Sequence, residues 1–345
     1  MTRGRHAPRF WWRSPPTPLA RLLAPAGHIY GRITASRMDR APASRAQTPV
    51  LCVGNLVAGG TGKTPFALML AEVLAAHGAR PVFLLRGYGG RLTGPVRVDA
   101  GAHTAQDVGD EALLLAARAP TVVAADRGAG ARLAETLGDV IVMDDGFQNP
   151  TLYKDLALVL VDAATGIGNG LCLPAGPLRA PLAAQLPHAD AVIRVGTGEA
   201  AAPVMEAARR LGRPVLQARV AAVDPQRFAG RKAVVFAGIG RPDKVFDTLA
   251  ATGAEIVARH AFGDHHVYAE AEARMLIAEA ERHDACLVTT TKDRVRLAGA
   301  ASGALAELHA RAQTLDVALR MDDPDALVAL LPAGALPQAS RPDSS

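Results

Sequence analysis

The 345-residue sequence predicts an α/β protein: a parallel sheet flanked by helices, with a second, smaller α/β domain joined to it by a two-stranded hinge. Three observations predict it. Short apolar runs at 50–54, 81–85, 121–124, 139–143, 157–162 and 190–195 alternate with Ala/Leu-rich stretches at 65–77, 109–118 and 127–137, as parallel strands buried under helices do. The stretch "VLCVGNLVAGGTGKTPFALMLAEVL" (50–74) sets a glycine-rich turn between one such strand and helix, which makes the sheet P-loop NTPase-like. Farther on, "PVLQARVAAV" (214–223) and "AQTLDVALRM" (312–321) flank a segment with strands of its own in "AVVFAGIG" and "ACLVTTTKD", and read as the paired hinge. The chain then divides into a basic segment 1–45, a P-loop domain 46–213, a smaller domain 214–330 and a tail 331–345 whose composition predicts disorder.

In chain order, the first segment is set apart by charge. Residues 1–45 hold nine arginines and one acid, Asp39, so an anionic partner is expected there. Trp11, Trp12, Leu19, Leu22, Leu23, Tyr30 and Ile33 recur at roughly helical steps among those arginines. No run approaches the roughly 18 apolar residues of a spanning helix, and Pro15, Pro16, Pro18 and Pro25 break any signal-peptide core. The reading is an amphipathic segment lying on an anionic membrane surface, the alternative being a basic disordered leader without a role of its own. A nucleic-acid arm is disfavoured because no nucleic-acid-binding motif follows. Cys52, Cys172 and Cys286 are isolated, without the spacing of a disulfide framework or a zinc site.

In the P-loop, the pattern G-x-x-x-x-G-K-[ST] is met at Gly62, Lys63 and Thr64 but has Val57 where the first glycine stands. The backbone N–H groups of Gly59, Gly60, Thr61, Gly62 and Lys63 are placed to face phosphate oxygens beside a helix N-terminus, with Lys63 as point charge and Thr64 as Mg2+ ligand. "DVIVMDDGFQN" ends a strand on Asp144 and Asp145, either a metal-holding strand end or an Asp-Asp-Gly turn. "LLRGYGG" puts Arg86 and Tyr88 among glycines after another strand, where arginine suits a phosphate. "DVGDEALLLA" opens a helix on Asp110 and Glu111, for which helix-dipole capping is the default role. "FGDHHVY" offers Asp264, His265 and His266, one histidine being suited to orient a carboxylate. In "TTKD" (290–293) lysine and aspartate are adjacent, unlike the separated pair of guanine-reading GTPases. These residues describe a Mg2+-dependent P-loop phosphotransferase or NTPase without naming an acceptor.

Taken in order, "VGNLVAGGTGKTP", "RGYGG", "VGDEALLLA", "DDGFQ", "LPAGPLR", "FAGIGRPDKVF", "FGDHH" and "TTTKDRVRL" resemble the tetraacyldisaccharide 4'-kinase family of lipid A biosynthesis, over about residues 18 to 325. The resemblance implies transfer of the ATP γ-phosphate to the 4'-hydroxyl of a tetraacyldisaccharide 1-phosphate, at the cytoplasmic face of the bacterial inner membrane. It implies that Lys63 and Thr64 serve the phosphates and Mg2+, and that Asp144 and Asp145 form the metal-side pair. Asp110 matches the family's base and His265 its partner, while Arg86, Tyr88, Glu111 and Gln148 match positions near phosphates or acceptor. Three positions depart from the family pattern: Asn149 stands for a histidine, Ala180 for an acid, and Thr291 for the glutamate of a TEKD string. The rival readings are a P-loop ATPase acting as a switch or delivery protein, and a membrane-surface binding protein with a degenerate P-loop.

Overall fold

The computed structural model describes residues 7–59, 62–239, 242–263, 266–297 and 302–337. The chain forms two compact units, Met1–Arg219 with Met321–Ser345, and Val220–Arg320. Its strands are β1 (Val50–Asn55), β2 (Pro81–Leu85), β3 (Val96–Arg97), β4 (Thr121–Val123), β5 (Val140–Asp144), β6 (Leu156–Asp162), β7 (Ala191–Val195), β8 (Val215–Ala222), β9 (Lys232–Ala237), β10 (Glu255–Ala261), β11 (Cys286–Thr289), β12 (Gln313–Thr314) and β13 (Val317–Met321). The helices are α1 (Pro18–Met38), α2 (Lys63–Ala76), α3 (Ala105–Val108), α4 (Asp110–Ala116), α5 (Arg127–Ala134), α6 (Leu182–Gln185), α7 (Ala202–Arg210), α8 (Asp243–Ala250), α9 (Glu270–His283), α10 (Thr291–Leu297), α11 (Ala304–Arg311) and α12 (Pro324–Val328).

Among the described residues one sheet has nine strands ordered β13-β8-β7-β6-β1-β5-β2-β4-β3, of which β1 to β7 lie wholly in the first unit. From β8 to β4 the pairings are parallel, and β3 closes one edge antiparallel to β4. Strands β1, β2, β5 and β6 are buried along their whole length, which is why they read as continuous apolar runs. Helix α2 buries Phe66, Leu70 and Leu74, each contributing about 1.5–3 kcal/mol. The second unit is a parallel sheet, β10-β9-β11-β12, with Phe236, Leu276 and Leu308 packed in one cluster and Phe228, Phe246 and Leu249 in another.

Helix α1 starts where the Thr17 hydroxyl accepts from the Ala20 N–H (3.3 Å) and Pro18 opens the first turn. It buries a face of small residues and one methionine, Ala20, Gly27, Gly31 and Met38, and leaves Leu22 (77 % exposed) and Ile29 (63 %) in solvent. Among the described residues no helix is long and apolar enough to cross a membrane. Strands β8 and β13 are neighbours and both straddle the division between the units. Two expected boundaries shift. The first unit runs to Arg219 because Val215–Ala218 pair with Val192–Val195 and so belong to its sheet. The tail expected to be disordered from Leu331 is ordered through Pro337: a turn closes from Ala335 N–H to Pro332 C=O (3.0 Å) and Ala335 is buried.

Candidate functional site

Strand order assembles the site. Because β5 lies beside β1 in register Val53↔Asp144, the end of the acidic strand stands next to the loop that enters α2. Gly62 precedes Lys63 with φ +85°, a left-handed turn that glycine adopts freely and that aims the first turn of α2 into the crevice. Gly54 has a different reason: a Cβ there would lie 2.3 Å from Phe147 Cβ, so only glycine lets β1 pass beneath the Asp144–Gln148 loop. Asp145 itself takes φ +56°, uncommon for a residue with a side chain and a feature that collects at functional sites.

Two carboxylates receive the P-loop side chains. The buried Thr64 hydroxyl donates to Asp144 Oδ2 (2.9 Å). Lys63 Nζ lies 3.7 Å from Asp145 Oδ1, and Arg179 Nη2 donates to Asp145 Oδ2 (3.2 Å) while its Nε donates to the Val57 carbonyl (3.3 Å). Asp144 Oδ1 is buried and has no hydrogen-bond partner among the described residues. Burial pushes the Asp144 carboxyl up to about 7; the negative charge of Glu111 adds to the effect, and the Thr64 hydrogen bond and Lys63 oppose it. A buried carboxylate with one unsatisfied oxygen, a hydroxyl on its other oxygen and a second carboxylate one residue on are hard oxygen donors of the kind Mg2+ takes.

Of the remaining candidates, Glu111 is near enough to Asp144, and Arg86 to Arg127, for their charges to be felt. Arg86 follows β2 and is exposed, as is Tyr88 at 90 %. Asp110 and Glu111 are the first two residues of α4, both exposed, and the N-cap is Gly109, which offers no side chain. Gln148 turns inward: its Nε2 donates to the Asn55 carbonyl (2.6 Å) and to Gln185 Oε1 (2.9 Å), leaving only its Oε1 for an outside ligand. Gly60, Thr61 and His265 lie outside the described residues. Of the departures, Asn149 Oδ1 accepts from Thr151 N–H (2.8 Å) and hydroxyl (2.7 Å), a local turn, and Ala180 is fully buried.

Sequence reasoning passed over two arginines. Arg179 lay inside the quoted "LPAGPLR" without being singled out, and its ion pair joins segments 34 residues apart. Arg127, the first residue of α5, is only 3 % exposed; it donates from Nη1 to the Ala124 carbonyl, and its Nε has no partner among the described residues. Burial lowers its proton affinity, the charge of Arg86 lowers it further, and Asp145 acts in the opposite sense. Its only signal in sequence was an arginine at the C-terminal end of a strand, where the preceding Asp126 reads as an ordinary helix cap.

This fold, with lysine, threonine, paired aspartates and arginines gathered where β1 enters α2, defines a P-loop protein built for phosphate chemistry. Comparison with known proteins is more specific: the model of the LpxK family, tetraacyldisaccharide-1-P 4'-kinase, matches residues 19–334. A tetraacyldisaccharide 4'-kinase of Methylorubrum extorquens (strain PA1) is 56 % identical over 291 residues, covering 84 % of this chain and 89 % of the relative. One from Methylobacterium nodulans is 52 % identical over 347 residues, covering 98 % and 99 %. The chain belongs to the tetraacyldisaccharide 4'-kinase family. In fold it is similar to the crystal structure of the "apo" form of LpxK from Aquifex aeolicus in complex with ATP, at a TM-score of 0.64 and 24 % identity, over 90 % of this chain and 98 % of that one.

Proposed function

We propose that this chain transfers the γ-phosphoryl group of ATP to the 4'-hydroxyl of a tetraacyldisaccharide 1-phosphate, releasing ADP and a 4'-phosphorylated lipid A precursor. The observation that carries the reading is the cluster of Lys63, Thr64, Asp144, Asp145 and Arg179 at the head of α2, in a chain of this family. The backbone N–H groups at the start of α2 bind the phosphates beside the positive end of the helix, and Lys63 sits where negative charge develops on the moving group. Asp145 holds both Lys63 and Arg179 by charge, so these cations are already placed when nucleotide arrives. Arg86 and the buried Arg127 supply further positive charge around the same loop.

Thr64, Asp144 and Asp145 would hold Mg2+, which supplies charge neutralisation on the phosphate oxygens when bound. Asp110, exposed at the start of α4, accepts the proton of the 4'-hydroxyl; the hydroxyl oxygen forms a bond to the γ-phosphorus as the bond to the β-phosphate oxygen breaks. Tyr88, Glu111 and the free Oε1 of Gln148 are the groups left for acceptor contact. The exposed Leu19, Leu22, Ile29, Tyr30 and Ile33 of α1, with Arg21, Arg32 and Arg37 on the same helix, suit an anionic membrane surface from which the lipid is taken. The test is transfer of labelled γ-phosphate from ATP to a tetraacyldisaccharide 1-phosphate with and without Mg2+. ATP hydrolysis that proceeds equally without the lipid would favour the ATPase-switch reading instead.

A further inference from the structure

A loop that turns its N–H groups outward to phosphate turns its carbonyls inward, and each buried carbonyl then needs a donor. In this chain those donors come from two side-chain amides in series. Gln185 is completely buried, at the last position of α6, and its Nε2 donates to the carbonyls of Leu56 (3.2 Å) and Ala180 (2.6 Å). Its Oε1 accepts from Gln148 Nε2, whose second proton goes to the carbonyl of Asn55 (2.6 Å). The two amides therefore commit all four N–H protons, three of them to backbone carbonyls and one, from Gln148, to the Gln185 oxygen. Only one orientation of each is possible, because a flipped amide would set oxygen against carbonyl oxygen.

The relay adds to a set of tethers on successive residues. Leu56 C=O also accepts from Arg179 N–H (3.0 Å), Val57 C=O accepts from Arg179 Nε (3.3 Å), and Ala58 N–H donates to Pro177 C=O (2.7 Å). The root of the P-loop, residues 55–58, is thus held at every position, and the same segment 177–185 that holds it presents Arg179 to Asp145.

We propose that Gln185 is a positioning residue for the nucleotide: through Gln148 and the carbonyls of Asn55, Leu56 and Ala180 it sets the height of the phosphate-binding loop against the Asp144–Asp145 strand end. Gln185 touches no reactant; it acts through the loop. This inference rests on the reading of that loop as the ATP site, and it predicts an effect confined to ATP.

The test uses the full-length enzyme and measures kcat, the KM for ATP, the KM for the tetraacyldisaccharide 1-phosphate and the melting temperature. Gln185→Leu leaves the Ala180 carbonyl without its amide donor and the Leu56 carbonyl with Arg179 N–H alone, which weakens loop placement enough to raise the ATP KM about tenfold or more, with the lipid KM within about twofold of wild type. Gln185→Glu is worse at pH 8 and recovers as pH falls, because a protonated carboxyl donates one of the two missing bonds. The Gln148→Leu/Gln185→Leu double variant resembles the worse single, as members of one relay do. If Gln185→Leu fails to fold, Gln148→Leu decides on the ATP KM alone, because its Oε1 is also assigned to the acceptor: a rise of about tenfold supports the relay, and an unchanged ATP KM overturns it. A lowered melting temperature with both KM values unchanged also overturns the proposal, since that is what a merely structural glutamine gives. Lys63→Ala run alongside separates the two levels: if it abolishes transfer while Gln185→Leu changes nothing, only this inference falls, and if it too changes nothing, the ATP-site reading falls with it.

Discussion

Asp144 offers a quantitative test in the protein free of metal and nucleotide. Its carboxyl is buried, one oxygen has no partner among the described residues, and burial raises its pKa from the ordinary 3.8 to about 7. The folded state therefore holds a proton that the unfolded state has released between pH 3.8 and about 7, so stability falls as pH rises through that window. The contribution of the neutral form is fully present below 3.8 and fully lost above about 7. Asp144→Asn removes this dependence while keeping an acceptor for the Thr64 hydroxyl. Relative to wild type, the variant should gain about 2 to 3 kcal/mol between pH 5 and pH 8, at about 1.4 kcal/mol per pH unit, and gain no more above that. For a domain of this size the gain corresponds to roughly 5 to 10 °C in melting temperature. The assay is thermal melting of both proteins in chelator at pH 5 and pH 8, repeated with Mg2+. Magnesium should raise the melting temperature of wild type at pH 8 and leave Asp144→Asn nearly unmoved. An advantage of Asp144→Asn that is absent, or equal at both pH values, refutes the account of burial; equal Mg2+ stabilisation of both proteins refutes the metal role.

Three further outcomes are expected. Lys63→Ala should lower transfer by about a hundred- to a thousandfold, since it removes a charge from the moving phosphoryl group; near-normal turnover at saturating ATP contradicts that placement. Asp110→Ala should lower kcat by about a hundred- to ten-thousandfold with little change in the KM for ATP, and a loss confined to stability returns Asp110 to a helix-dipole role. Leu22→Glu with Ile29→Glu should reduce sedimentation with anionic vesicles while activity on detergent-dispersed lipid stays close to wild type. These exposed positions are preferable to deletion of α1, whose buried Ala20, Gly27, Gly31 and Met38 belong to the folded unit.

Sequence by itself determined the architecture and pointed to the centre of the proposed site, and the reason is locality. A strand buried on both faces is a continuous apolar run, so β1, β2, β5 and β6 were legible within a residue or two of their ends. A phosphate loop is a strand, a turn and a helix start in one unbroken stretch, so Gly62, Lys63 and Thr64 could be found without any distant contact. Asp144 and Asp145 were legible because the last residues of a parallel strand face the crevice. Tertiary structure alone decided what those residues touch. Thr64 meets Asp144 across 80 residues only because β5 is laid beside β1, and it is that burial which raises the Asp144 carboxyl. The strings around Arg179 and Arg127 do not say what either arginine touches, and Gln185 sits in "PLAAQLPH", where nothing distinguishes it from a surface amide. Its three partners, Leu56, Ala180 and Gln148, are 129, 5 and 37 residues away, and the need it answers is created by the fold: inward carbonyls acquire a price in free energy only once the loop is closed and water is gone.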